Sequence, residues 1–118
     1  MSSVNEITPL DYTTTGTKSL WIPGADMRGE LSDVILCLKN ADASNMLRVK
    51  LETCVSTVWK AIIDLHVDPS GQTVFNHSFS KVLALDDGDG TNPRLRLDIS
   101  GASTDFHVRG SVVGFIQI

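Results

Sequence analysis

Cationic residues are few: ten Lys and Arg stand against fourteen Asp and Glu, giving a net charge of −4 and a pI near 5.1. They are also scattered, so the basic stripe that follows a phosphate backbone is missing and nucleic acid is not an expected partner. Long apolar runs are lacking too. No stretch approaches the ~20 residues that span a bilayer, and Met1 to Thr8 has neither the basic start nor the apolar segment of a secretory signal. No membrane partner is expected, and the chain is expected to stay in the cytosol where it is made unless it leaves inside an assembled particle. Cysteine occurs twice, as Cys37 and Cys54, both inside strand-like runs. Without a second pair they do not make a zinc site. Free thiols are expected over a disulfide, because small disulfide-dependent domains carry more cysteines and a bridge needs Cα atoms within ~7 Å. Apolar residues nowhere hold a helical spacing over a long window, which excludes helices as the main element.

What the chain does have is alternation. Its 118 residues, 42% hydrophobic and 20% charged, suit one domain that buries roughly two-thirds of its unfolded surface. In Met46 to Val55, Leu47, Val49, Leu51, Thr53 and Val55 share one face, and Arg48, Lys50, Glu52 and Cys54 the other, because successive strand side chains point to opposite sides. Trp59, Ala61, Ile63, Leu65 and Val67 then form an inward set opposed to Lys60, Ile62, Asp64 and His66. With Ser56 to Val58 between them, the two runs predict a hairpin. Arg94 to Ser100 and Asp105 to Ile118 alternate in the same way around a Ser100-Gly101-Ala102-Ser103 turn and predict a second hairpin.

Shorter strands are expected at Thr17 to Ile22, closed by Pro23-Gly24, at Glu30 to Lys39, and at Gln72 to Leu85 with an interruption near His77 and Ser78. Asn40 to Asn45, Asp68 to Gly71 and Asp86 to Pro93 are turns and loops whose side chains bond their own backbone. Residues 1–16, polar and rich in Ser and Thr, read as an N-terminal arm with a short edge strand around Val4 to Thr8, and residues 17–118 as the domain. Short strands near ten-residue spacing predict an all-β fold, an antiparallel β-sandwich or jelly roll of about eight strands.

Candidate chemistry is thin. Asp86, Asp87, Asp89, Thr91 and Asn92 crowd oxygen atoms into one Gly-rich loop, and the Asp87, Asp89, Thr91 spacing resembles the opening of a calcium loop. Pro93 and the lack of a closing Glu favour a solvated turn instead. His66, His77 and His107 stand on separate runs with no Gly-x-Ser-x-Gly elbow, so no catalytic residue is assigned and an enzyme is not expected. Trp59 reads as core, which leaves Trp21, beside the Pro-Gly turn, as the first candidate for a partner contact, with Tyr12 as a second aromatic.

The last run poses a geometric question. Asp105 to Ile118 would extend roughly 45 Å at ~3.3 Å per residue, longer than a typical strand, and Gly110 and Gly114 lie on one face of it. Glycine in a strand marks a bend, a bulge or a close approach. The chain is therefore expected either to change sheets at Gly110 or to pair its end with another subunit. Val113 and Phe115 are apolar on the face opposite Val112 and Ile116, which makes Val113, Phe115 and Ile116 candidate partner contacts.

The run Leu47 to Thr53, a Trp soon after it (Trp59), and the segment Arg94 to Gly101 leading into Asp105 to Gly114 together resemble the small β-rich structural proteins of tailed bacteriophage particles. The resemblance covers roughly Leu47 to Gly114 and lies in strand and turn cadence. It implies a non-enzymatic virion component that assembles in the host cytoplasm: a capsid decoration (cement) protein, or a tail or fibre component. It implies partners in a homo-oligomer, expected as a trimer, and in major capsid or tail proteins. The alternative is a carbohydrate- or receptor-binding module of a tail or fibre, which would need Trp21 or Tyr12 exposed on a concave face.

Overall fold

The structure, a computed structural model, describes residues 3–102 and 105–117. Met1 and Ser2 of the expected arm, Ser103 of the expected turn, and Ile118 lie outside them. Eight strands follow in order: β1 (Ser3–Tyr12), β2 (Gly16–Trp21), β3 (Arg28–Asn40), β4 (Leu47–Val55), β5 (Val58–Val67), β6 (Gln72–Asp87), β7 (Leu95–Ser100) and β8 (Phe106–Gln117). They form two four-stranded antiparallel sheets, ordered β1-β8-β3-β6 and β2-β7-β4-β5. This is the expected antiparallel β-sandwich.

Alternation decides which side chains meet between the sheets. Leu31, Val34, Leu36 and Leu38 of β3, with Val108 and Val112 of β8, face Leu47, Val49 and Leu51 of β4 and Leu95, Leu97 and Ile99 of β7, all at most 1% exposed. Burial of such side chains gives about 1.5–3 kcal/mol each before chain entropy is subtracted. Asn40, also buried, donates from Nδ2 to the carbonyls of Asn45 and Val67 at 2.8 and 3.1 Å and accepts from the Asp42 amide at 3.1 Å. One side chain thus ties the Asn40–Asn45 turn to the end of β5.

The β4–β5 hairpin forms as expected, closed by Ser56 and Thr57 at φ 53° and 63°, the left-handed pair that suits the twist of a two-residue hairpin. The expected hairpin of β7 with β8 does not form. β7 pairs with β2 and β4 in one sheet, and β8 with β1 and β3 in the other, so the intervening connection crosses from layer to layer. Two strands that face one core from opposite layers alternate just as a hairpin does. Gly101 sits in the crossing at φ 93°, and a Cβ there would lie 2.0 Å from the Met46 carbonyl oxygen.

The expectation for β8 also needs correction. It remains one strand in one sheet, and its partners on both sides run its full length: Ser3–Tyr12 on one edge and Arg28–Asn40 on the other. Gly110 and Gly114 serve close approach within the chain. A Cβ would lie 2.0 Å from the Ile35 carbonyl oxygen at Gly110 (φ 146°) and 2.1 Å from that of Glu30 at Gly114. The edge strand expected at Val4 to Thr8 is correspondingly longer, ten residues, and bonded to β8 throughout.

Candidate interaction surfaces

The outer faces of the two sheets differ in kind. On the β2-β7-β4-β5 sheet, outward side chains of β4, β5 and β7 form a lattice of opposite charges. Arg48 makes a two-pronged bond to Asp64 at 3.0 and 2.7 Å, His66 lies 3.4 Å from the same carboxylate, and Lys50 lies 3.4 Å from Asp98. Glu52 accepts from Arg96 Nε at 3.0 Å, and the Arg96 guanidinium lies 4.0 Å from the centre of the Trp59 ring. The Arg48 fork holds the Asp64 carboxyl below its ordinary range.

The outer face of the β1-β8-β3-β6 sheet mixes exposed apolar side chains with charges, and only its central row is uncharged. Ile7 of β1 is 66% exposed, Val74 of β6 69%, and Ile35 of β3 37%. Half-buried Val113 and Phe115 of β8 lie among them, since Ile7 registers with Val113 and Val113 with Asp33. Pro9, Ser111, Ile35 and Asn76 form the next row, and exposed Cys37 stands beside Val74. Charge flanks that row on both sides: Asp33 stands in the row of Ile7 and Val113, Glu30 beside Phe115, Asp11 and Arg109 in the row of Cys37 and Val74, and Lys39 with His107 beyond them. His107 holds the Asp11 carboxyl below its ordinary range.

The five expected contact residues therefore separate. Val113 and Phe115 stand on this outer face. Ile116 points the other way, half-buried beside Glu6, Leu20, Trp21 and Pro23 in an open depression where β1 and β2 edge the sandwich. Tyr12 is half-buried against the core, with Lys18 Nζ 5.6 Å from its ring centre.

Trp21, expected as the exposed tryptophan, is 2% exposed. Its ring fills the space left by Gly29 and Gly114, where added Cβ atoms would lie 2.9 and 2.7 Å from it, and its Nε1 donates to Thr8 Oγ1 at 3.0 Å. Trp59, expected in the core, is the half-exposed one. The cause is a bulge. β4 pairs Leu51 with Ile63 but Glu52 with Ala61, so Ile62 is an extra residue and every side chain before it changes face.

The acidic loop does not gather its carboxylates. Asp89 accepts from the amides of Thr91 and Asn92 and from Asn92 Nδ2 at 2.7–2.8 Å, and these bonds hold it far below the usual carboxylate range. Asp86 turns away to the β4–β5 hairpin and accepts from the amides of Ser56 and Thr57, both at 2.8 Å. Among the described residues no group of three His, Cys, Asp or Glu side chains is placed to hold a metal ion. The cysteines are free, Cys37 exposed and Cys54 buried in different sheets, and burial first and Asp86 second push the Cys54 thiol up. The histidines keep separate company: His66 with Asp64, His77 between Phe75 and Phe79, and His107 with Asp11.

No family model matches the sequence, and no curated protein matches it. Among solved structures the chain is similar to one from the Cowpea mosaic virus top component, naturally occurring empty particles, at 11% identity and a TM-score of 0.45, with 98% of this chain and 83% of that chain covered.

Proposed function

We propose that this protein is a non-enzymatic structural component of a virus particle, a capsid decoration protein that works by contact. The observation that carries the reading is the inequality of its two outer faces. One is charged, and its ions are paired with one another, as suits a surface left in water. The other exposes Ile7, Ile35 and Val74, with half-buried Val113 and Phe115 between them and charges beside them, and exposed apolar side chains rimmed by polar ones suit a protein contact. In this reading the face bearing Ile7, Ile35 and Val74 lies against the capsid subunits and the ion-paired face outward. The strand and turn cadence from Leu47 to Gly114 supports the same reading.

A carbohydrate-binding module is less well supported. Trp21 is in the core, and one side of the Trp59 ring is taken by Arg96.

The test is co-sedimentation of the purified protein with capsid shells assembled from the major capsid protein of the same genome. Wild-type protein is expected to pellet with the shells, and the double variant Ile7→Lys/Ile35→Lys to stay in the supernatant while keeping its β-sheet circular dichroism. No pelleting of the wild type rejects the reading; equal pelleting of the variant rejects the face.

A further inference from the structure

A sandwich of two open sheets has four edge strands, here β1, β6, β2 and β5. An edge offers unpaired backbone N–H and C=O groups to any extended chain, and proteins block it with charge, proline, bulges or brevity. Three of these edges are blocked. β1 carries Glu6, Pro9 and Asp11; β2 has six residues, Lys18 and a register shift after Ser19; β5 carries Lys60, Asp64 and the bulge at Ile62.

The fourth is not. From Gln72 to Ser78, β6 pairs with Lys39 to Asp33 through seven consecutive residues with no register shift, and this stretch holds no Asp, Glu, Lys, Arg or Pro. The irregularity begins only after Ser78, where the register jumps to Leu83, and the first charged residue is Lys81. On one side of the strand Phe75, His77 and Phe79 form an aromatic row, with Phe75 and His77 stacked at 6.3 Å and His77 and Phe79 edge-on at 4.6 Å.

We infer that Gln72–Ser78 pairs antiparallel with the same segment of a second copy about a two-fold axis at Phe75, joining two four-stranded sheets into one of eight. The occupant is a second copy because the segment suits itself. Centring on Phe75 uses the whole unblocked length, bounded by the Gly71 turn and the irregularity after Ser78. It sets Phe75 against its counterpart, Val74 opposite Asn76, Thr73 opposite His77 and Gln72 opposite Ser78. Phe75 meets its own counterpart, an aromatic pair of the kind that favours strand pairing, and no like charges oppose one another. The contact is isologous and closes at two, in place of the trimer expected from the resemblance. It does not depend on the capsid reading, since it uses the backbone edge of β6, although Val74 and Asn76 of that edge also stand on the outer face.

The test is the mass of the full chain by sedimentation equilibrium, with amide hydrogen exchange at low and high concentration. A dimer of the 12.8 kDa chain is expected, with concentration-dependent amide protection confined to Gln72–Ser78. Val74→Lys/Asn76→Lys is expected to raise the dissociation constant at least tenfold, as is Val74→Asp/Asn76→Asp, and an equimolar mixture of the two to recover the dimer. Ile7→Lys, on the outer face but on the far edge strand, is expected to leave the mass unchanged. A monomer at every concentration, a trimer, protection elsewhere, no recovery on mixing, or dissociation by Ile7→Lys would each overturn the proposal.

Discussion

Trp21 is held by Gly29, Gly114 and Thr8, and changing Gly114 or Thr8 is expected to give different results. Gly114→Ala would place a methyl group 2.1 Å from a backbone oxygen and 2.7 Å from the indole. Backbone must then shift, and a cost of about 3 kcal/mol is expected in urea unfolding, the upper end for overpacking. Thr8→Val keeps the shape but removes the acceptor of the indole N–H at 3.0 Å, and should cost about 1–2 kcal/mol by the same measurement. Asp86 contributes to acid sensitivity. The amides of Thr57 and Ser56 lower its pKa from 3.8, so its stabilisation is complete above that value and is lost as pH falls through the lower folded value. Asp89, Asp64, Asp33 and Asp11 are shifted the same way. The urea midpoint should therefore fall below about pH 4, and Asp86→Asn should flatten part of that fall.

At the scale of strands, the bulge in β5 accounts for the exposure of Trp59. Iodide should quench the Trp21→Phe variant, whose remaining indole is Trp59, and leave Trp59→Phe nearly unquenched with blue-shifted emission. Deleting residues 114–118 should abolish folding, because Gly114 to Gln117 bonds to β1 on one side and β3 on the other; a folded product would show that the end of β8 is dispensable. The faces of β4, β7 and β8 were legible in the sequence because a period of two survives wherever pairing is regular. Their assignment to layers was not, since β7 and β8 bury the same kind of face from opposite sides of one core. Nor was the exposure of Trp59: one unpaired residue, Ile62, inverts the parity of four positions before it, and nothing in VWKAII marks it. The candidate contact residues divided by how much of their surroundings came from their own strand. Val113 and Phe115 followed a regular strand, whereas Trp21 depended on which glycines of other strands lay beneath its ring.

For the whole molecule, the ion pairs of the charged face are partly exposed, with Arg48 at 46% and Asp64 at 38% side-chain exposure, and exposed pairs give little net stability and are screened by salt. Raising salt should shift the unfolding midpoint slightly, while association through Gln72–Ser78, which involves no full charges, should hold or tighten. Opposite responses of stability and self-association to the same salt series would separate the two surfaces without a mutation.

The pairing of β1 with β8 sets Ser3 directly opposite Gln117, and partners across an antiparallel ladder lie only ~5 Å apart. The polypeptide thus enters and leaves its fold at one point. A short flexible bridge between those two places would turn the chain into a ring, and the ring could be reopened at the Asn40–Asn45 turn with every strand kept. The same closeness makes the domain a cassette: spliced into a surface loop of another protein, it would need no gap in its host wider than a hairpin.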